Sequence, residues 1–143
     1  MVALPRLAGV PIPGLPSDAE GFIPVDPSGR VRHVDDVFAA GDAVAFPVKQ
    51  GGIAAQQADA AAETIAAATG APVEPEPFRP VLRGLLLTGE APTFMRAELG
   101  GGSGDTSVPA TDLPWWPPGK IVGRYLAPFL AERAGAICKA AGG

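Results

Sequence analysis

Asp42 and the stretch Lys49-Gln50-Gly51-Gly52 are the residues whose types and spacing suit work on a bound small molecule. Asp42, ionised, accepts hydrogen bonds from a pair of sugar-like hydroxyls. Gly41 just before it lets a ligand approach the backbone, where a Cβ would stand in the way. Gly51-Gly52 opens an alanine-rich run. A helix starting there leaves backbone N–H groups unpaired and carries a partial positive charge, both suited to a developing anion. Lys49 and Gln50 sit immediately before that helix start.

Two elements must position these residues. Val37-Phe38-Ala39-Ala40 is a short apolar run bounded by Asp36 and by Gly41-Asp42, the pattern of a buried parallel strand. From Gly51 to about Thr69 the periodicity is helical. Ala54, Ala58, Ala61, Ala62 and Ile65 form an expected packing face, with Gln56, Asp59 and Glu63 on the other side. Alanine's helix propensity makes this element robust, and Gly70 with Pro72 stops it. A strand that delivers an acid beside a glycine-started helix is how open α/β sheets hold a cofactor.

The hexapeptide Val37-Phe38-Ala39-Ala40-Gly41-Asp42 resembles the second FAD-binding motif of flavoproteins with two dinucleotide-binding domains. Its sequel, Phe46-Pro47-Val48-Lys49-Gln50-Gly51-Gly52, is similar to the branch that holds sulfide:quinone oxidoreductases, flavocytochrome c sulfide dehydrogenases and type II NADH dehydrogenases. Phe78 to Gly84 and the Trp115-Trp116 pair resemble the C-terminal part of the same branch. The resemblance implies that Gly41 and Asp42 take the ribityl chain of FAD. It places Gln50, Gly51 and Gly52 at the pyrimidine edge of the flavin. Lys49 then either offsets charge on the reduced ring or is a solvated loop lysine.

The resemblance covers roughly the C-terminal third of such an enzyme. The expected fold class is therefore α/β, a fragment with three parts. Residues 1–18 are a proline-rich crossover segment. Residues 19–70 are the C-terminal part of a Rossmann-like FAD-binding domain: a β-hairpin around Pro27-Ser28-Gly29, the parallel strand and the alanine-rich helix. Residues 71–143 are a small α+β subdomain, with a hairpin of Val81 to Gly89 against Pro92 to Leu99, a glycine-rich linker, and a helix from about Lys120 to Ala134 bent near Pro128. The phosphate-binding Gly-x-Gly-x-x-Gly turn has no counterpart: Gly100 to Asp105 fails its spacing and follows no strand–helix pattern.

Composition removes several classes. A net charge of -4 leaves no basic footprint for nucleic acid. The single cysteine, Cys138, makes neither an internal disulfide nor a cysteine-only metal site. No apolar run reaches the roughly eighteen residues of a membrane span, and Met1 to Leu7 lacks the layout of a signal peptide, so a cytoplasmic location is the default. His33, the lone histidine, reads as a turn residue, and no residue is assigned a catalytic role.

The resulting expectation is an FAD-dependent oxidoreductase of the pyridine nucleotide-disulfide type. It would pass electrons between NAD(P)H, bound by a domain not present here, or another donor, and a quinone-like acceptor. Its partners would be N-terminal dinucleotide-binding domains and a small electron donor or acceptor. The alternative is a truncated or split-gene product, inactive alone and serving as a partner subunit. A peripheral membrane module is the third reading, with Trp115, Trp116, Tyr125, Phe129 and Leu130 as an apolar anchor beside Lys120 and Arg124. Pro114, Pro117 and Pro118 break that stretch, which favours these aromatics as residues that cap the flavin pocket and pack the core.

Overall fold

In the computed structural model the described residues form a mixed α/β structure, with two α-helices, a short 3-10 turn and one two-stranded antiparallel sheet among them. The structure describes Ala3, residues 5–87, Gly89, residues 93–99 and residues 123–141, with side chains as far as Arg133. The tryptophan pair, Lys120 and the glycine-rich linker lie outside the described residues, as does most of the expected Gly89-Glu90-Ala91 turn.

Helix α1 spans Gly51–Ala68. It ends as its sequence requires: Gly70 takes φ 91°, Gly70 N–H donates to the Ala67 carbonyl, and Ala71 N–H reaches back to the Ala66 carbonyl at 2.9 Å. That pair of bonds is the Schellman arrangement, which satisfies the last carbonyls of the helix.

The facing of α1 departs from the expected one, although Ala61 is buried as expected. Ala58, Ala62 and Ile65 face solvent, Ile65 at 43% exposure. Gln57, Glu63 and Thr64 are buried with Ile53, Ala55, Ala60 and Ala61. The polar side turns inward because the rest of the chain supplies its partners. Residues 76–81 and 123–125 lie over it and pair with Gln56, Asp59 and Glu63. A polar group so paired can be buried at little cost.

The expected parallel strand at Val37–Ala40 is an extended segment. Phe38 makes one antiparallel bridge to Arg30, framed by Val31 N–H to Val37 O and Ala39 N–H to Gly29 O, both at 2.9 Å. The one parallel bridge of this region joins Ile23 to Val44, after the motif. A ladder needs a neighbour in register over several residues, and among the described residues Val37–Ala40 has one bridging partner only. The hairpin before it is likewise reduced to the Val25–Val31 bridge. Its turn does form: Gly29 N–H donates to Asp26 O at 3.0 Å, and the Asp26 carboxylate accepts from Ser28 and Arg30 N–H groups.

The proline-rich arm is held in place. Gly9 N–H donates to Glu20 O at 2.8 Å, and a Cβ on Gly9 would fall 2.3 Å from the Gly21 carbonyl oxygen. Two backbones cross there at a distance that only glycine allows.

Strands β1 (Val81–Leu86) and β2 (Thr93–Glu98) pair with Val81 opposite Glu98 and Leu86 opposite Thr93. The outer edge of β1 is covered by glutamines of α1 and its N-cap. Gln56 bonds both backbone groups of Val81, and Gln50 Nε2 donates to the Arg83 carbonyl at 2.8 Å. Side-chain amides thus do the work of a third strand on an otherwise open edge.

Helix α2 spans Leu126–Ala141, later than expected. Gly123 is buried against α1, where a Cβ would lie 3.1 Å from that of Ala55, and the Arg124 N–H is bound by Asp59. The helix begins only after these anchors. Pro128 consequently falls in its first turn, where a missing N–H breaks no helical bond and a bend is not required. The core joins Phe22, Ile23, Val31, Val44, Ile53 and the buried alanines, with Val44 and Ile53 completely enclosed.

Candidate functional site

Gly41, Asp42 and Ala43 form a 3-10 turn that packs on the start of α1. Gly41 takes φ 83°, in the left-handed region. A Cβ there would meet Ala54 at 3.5 Å, an ordinary contact, so backbone conformation and not crowding is what requires glycine. The Gly41 N–H donates to Gln57 Oε1 at 2.7 Å, fixing the turn to the helix. Asp42, next in the turn, is exposed and makes no ion pair among the described residues.

The helix start lies alongside. Gln50 is the N-cap, with extended backbone and no side-chain cap bond. Its carbonyl accepts the first helical bond, from Ala54 N–H at 2.9 Å. The N–H groups of Gly51, Gly52 and Ile53 therefore have no partner within the helix, and no acidic side chain stands in the first turn. Gly51 is exposed and Gly52 is buried. The Gln50 carboxamide is committed at one end to Arg83 O, while its Oε1 is buried without a partner among the described residues.

Lys49 is less free than a solvated loop lysine. Its Nζ donates to the Val44 carbonyl and sits 3.9 Å from the centroid of the Phe22 ring. Burial pulls its pKa below the usual lysine value, against the opposing pull of Asp42 and Asp18 nearby. The ammonium thus braces the loop between the turn and the helix, and its charge lies in the field of Asp42.

The six residues expected from the sequence therefore lie along one path, from the 3-10 turn through the Lys49 loop to the helix start. His33 stands apart, exposed in a turn at φ 64°.

Sequence reasoning missed a second constellation. Glu63, only 3% exposed, accepts from Arg124 at 2.6 Å, from Tyr125 Oη at 2.9 Å and from Glu76 N–H at 2.9 Å. Burial works against its charge, but these donors outweigh burial and hold its pKa below the usual carboxylate value. The Tyr125 hydroxyl, bonded to Glu63, is pushed up correspondingly, and Glu76 and Glu63 raise Arg124 further above its normal range. No local motif marks this cluster, because the partners of Glu63 lie 13 to 62 positions from it.

A cleft of about 340 Å³ opens beside it, lined by Gln56, Asp59, Arg79, Arg83 and Arg124 among others. A second, of about 290 Å³, lies between the Asp26–Gly29 turn, Phe46, Gln57 and Phe78. Neither is lined by Asp42 or by residues 49–52. Among the described residues no helix is long and apolar enough to cross a membrane. No protein-family model matches the chain, and no curated protein matches it significantly.

Proposed function

We propose that this chain supplies the ribityl-binding acid and the flavin-edge helix of an FAD-dependent oxidoreductase. In this reading electrons pass between NAD(P)H or another donor and a quinone-like acceptor. The observation that carries it is the convergence of an exposed Asp42, on a turn tied to α1 through Gln57, with the unpaired N–H groups that open the same helix.

The groups present suit one half of the cofactor. The Gly51, Gly52 and Ile53 N–H groups and the field of Lys49 favour negative charge at the helix start. Asp42 is placed to accept from hydroxyls. The adenine and pyrophosphate half has no glycine-rich cradle among the described residues, and in this reading falls to N-terminal dinucleotide-binding domains as partners. Bound FAD supplies the hydride and electron chemistry, while the protein binds, orients and sets the electrostatics.

A second reading, a partner subunit without activity of its own, draws on α2. Leu126, Phe129 and Leu130 of that helix are 41–49% exposed. The membrane-anchor version is weakened by Arg124, which is committed to Glu63 and Glu76 and is no longer a cation free for lipid.

Purification with and without a dinucleotide-binding partner tests the proposal. The chain alone should carry no stoichiometric FAD, and the complex should be yellow. Stoichiometric FAD on the isolated chain would contradict the division of the site, and a colourless, well-formed complex would contradict the flavin reading itself.

A further inference from the structure

Gln57 of α1 is a buried amide with only one end committed. It is 6% exposed, and its Oε1 accepts from the Gly41 N–H at 2.7 Å. Its Nε2 has no hydrogen-bond partner among the described residues. Gln50 Oε1 and Arg83 Nε are sealed from solvent, whereas the Gln57 Nε2 is not. Gln57 lines the cleft of about 290 Å³ beside the Asp26–Gly29 turn, so what remains of its surface opens there.

The other walls of this cleft are mostly apolar, with Phe46, Phe78, Pro27 and Pro80 among them. One placed donor in an apolar, aromatic-walled cleft is the composition of a small-molecule site, whose volumes begin at about 300 Å³. The walls are built before any ligand arrives. Phe78 N–H donates to the Pro27 carbonyl at 2.8 Å. The Phe46 and Phe78 rings meet edge to face, 5.3 Å between centroids and 74° between planes. A further aromatic ring can join that pair in the same geometry. Charge does not select the ligand, because Arg32 and Asp26 line the cleft together with opposite signs.

We propose that this cleft binds a small, neutral aromatic ring that carries a carbonyl group. The ring packs against Phe46 and Phe78, and the carbonyl oxygen accepts from Gln57 Nε2. Neither Asp42 nor residues 49–52 line the cleft, so the proposal does not rest on the flavin reading. It does reach the Asp42 turn through Gln57. A carboxamide that donates through Nε2 is polarised and becomes a stronger acceptor at Oε1. Its bond to the Gly41 N–H then tightens.

The test titrates benzamide into the full chain and follows two proton–nitrogen NMR signals, the Gln57 side-chain amide and the Gly41 backbone amide. Saturable shifts of both are expected, with Gly41 moving downfield. Benzoate adds a charge and cyclohexanecarboxamide removes the aromatic ring, and each should bind about threefold more weakly or worse. Gln57→Glu keeps an oxygen for the Gly41 N–H and loses the donor. Its affinity for benzamide, followed on the Gly29 and Gly41 amides, should fall about tenfold. Phe78→Leu keeps apolar bulk, loses the ring and should also weaken benzamide, so the claim stays testable if Gln57→Glu does not fold. The proposal is overturned by no saturable shift with benzamide, by either comparison compound binding as tightly, or by parent-like affinity in a folded variant.

Discussion

The Gln56 carboxamide and the Val81 backbone form a two-bond pair across 25 positions of sequence. Val81 N–H donates to Gln56 Oε1 at 3.0 Å, and Gln56 Nε2 donates to the Val81 carbonyl at 2.9 Å. A helix side chain thereby takes the place of a neighbouring strand and holds the hairpin to α1. An isolated two-stranded hairpin is marginal in water, so this attachment matters. Gln56→Met, similar in length and unable to pair, should cost about 1–3 kcal/mol, the sum of two neutral hydrogen bonds. Denaturant titration gives the loss, and Val81 amide exchange should accelerate; unchanged protection at Val81 would show the pair to be dispensable.

Glu63 sets an acid limit. Its folded pKa lies below the ordinary 4.5, so the folded state favours the carboxylate. That stabilisation is complete above about pH 5 and is lost as pH falls through 4.5 and then through the folded value. Glu63→Gln should be less stable than the parent at neutral pH by about 1–3 kcal/mol, a figure kept modest because its partner Arg124 can return to water. The gap should close as pH falls below 4.5 and through the lowered folded value. Denaturation midpoints across that range decide it, and a gap independent of pH would mean that Glu63 acts by shape alone.

Gly41 is required by its backbone. With φ at 83°, Gly41→Ala should lose about 1–2 kcal/mol from left-handed strain, with no clash, because Ala54 is 3.5 Å from the added Cβ. Gly41→Asn should recover part of that loss, since asparagine visits this region more readily. Thermal unfolding of the two variants distinguishes strain from crowding: equal losses would favour crowding.

Helix α1 was legible in the sequence because its determinants are local. Alanine propensity, the Gly51-Gly52 opening and the Gly70-Pro72 stop agree with one another, and the helix ends where they say. Its facing was not legible. Hydrophobic periodicity assumes that polar residues seek water, and here Gln56, Gln57, Asp59 and Glu63 find partners at Val81, Gly41, Arg124 and Tyr125 instead. Those partners are far along the chain, and nothing near the helix announces them.

The site shows the same division. The neighbourhood of Gly41, Asp42 and the helix start followed from the spacing of short motifs. The parallel strand expected to carry them did not form a ladder, because pairing depends on a neighbour that Val37–Ala40 lacks among the described residues. Lys49 was ambiguous in sequence because the Val44 carbonyl and the Phe22 ring that engage it are brought there by tertiary folding.

The flavin reading turns on Asp42, and the affinity of Asp42→Ala for FAD is the direct test. The measurement belongs in the complex with the dinucleotide-binding partner, by fluorescence titration, with circular dichroism confirming the fold. Asp42 is exposed on a turn and makes no ion pair among the described residues, so its removal should leave stability nearly unchanged. Loss of charge-assisted bonds to the ribityl hydroxyls, at roughly 1.5–3 kcal/mol, should weaken FAD about tenfold to a hundredfold. FAD affinity equal to that of the parent would contradict the account.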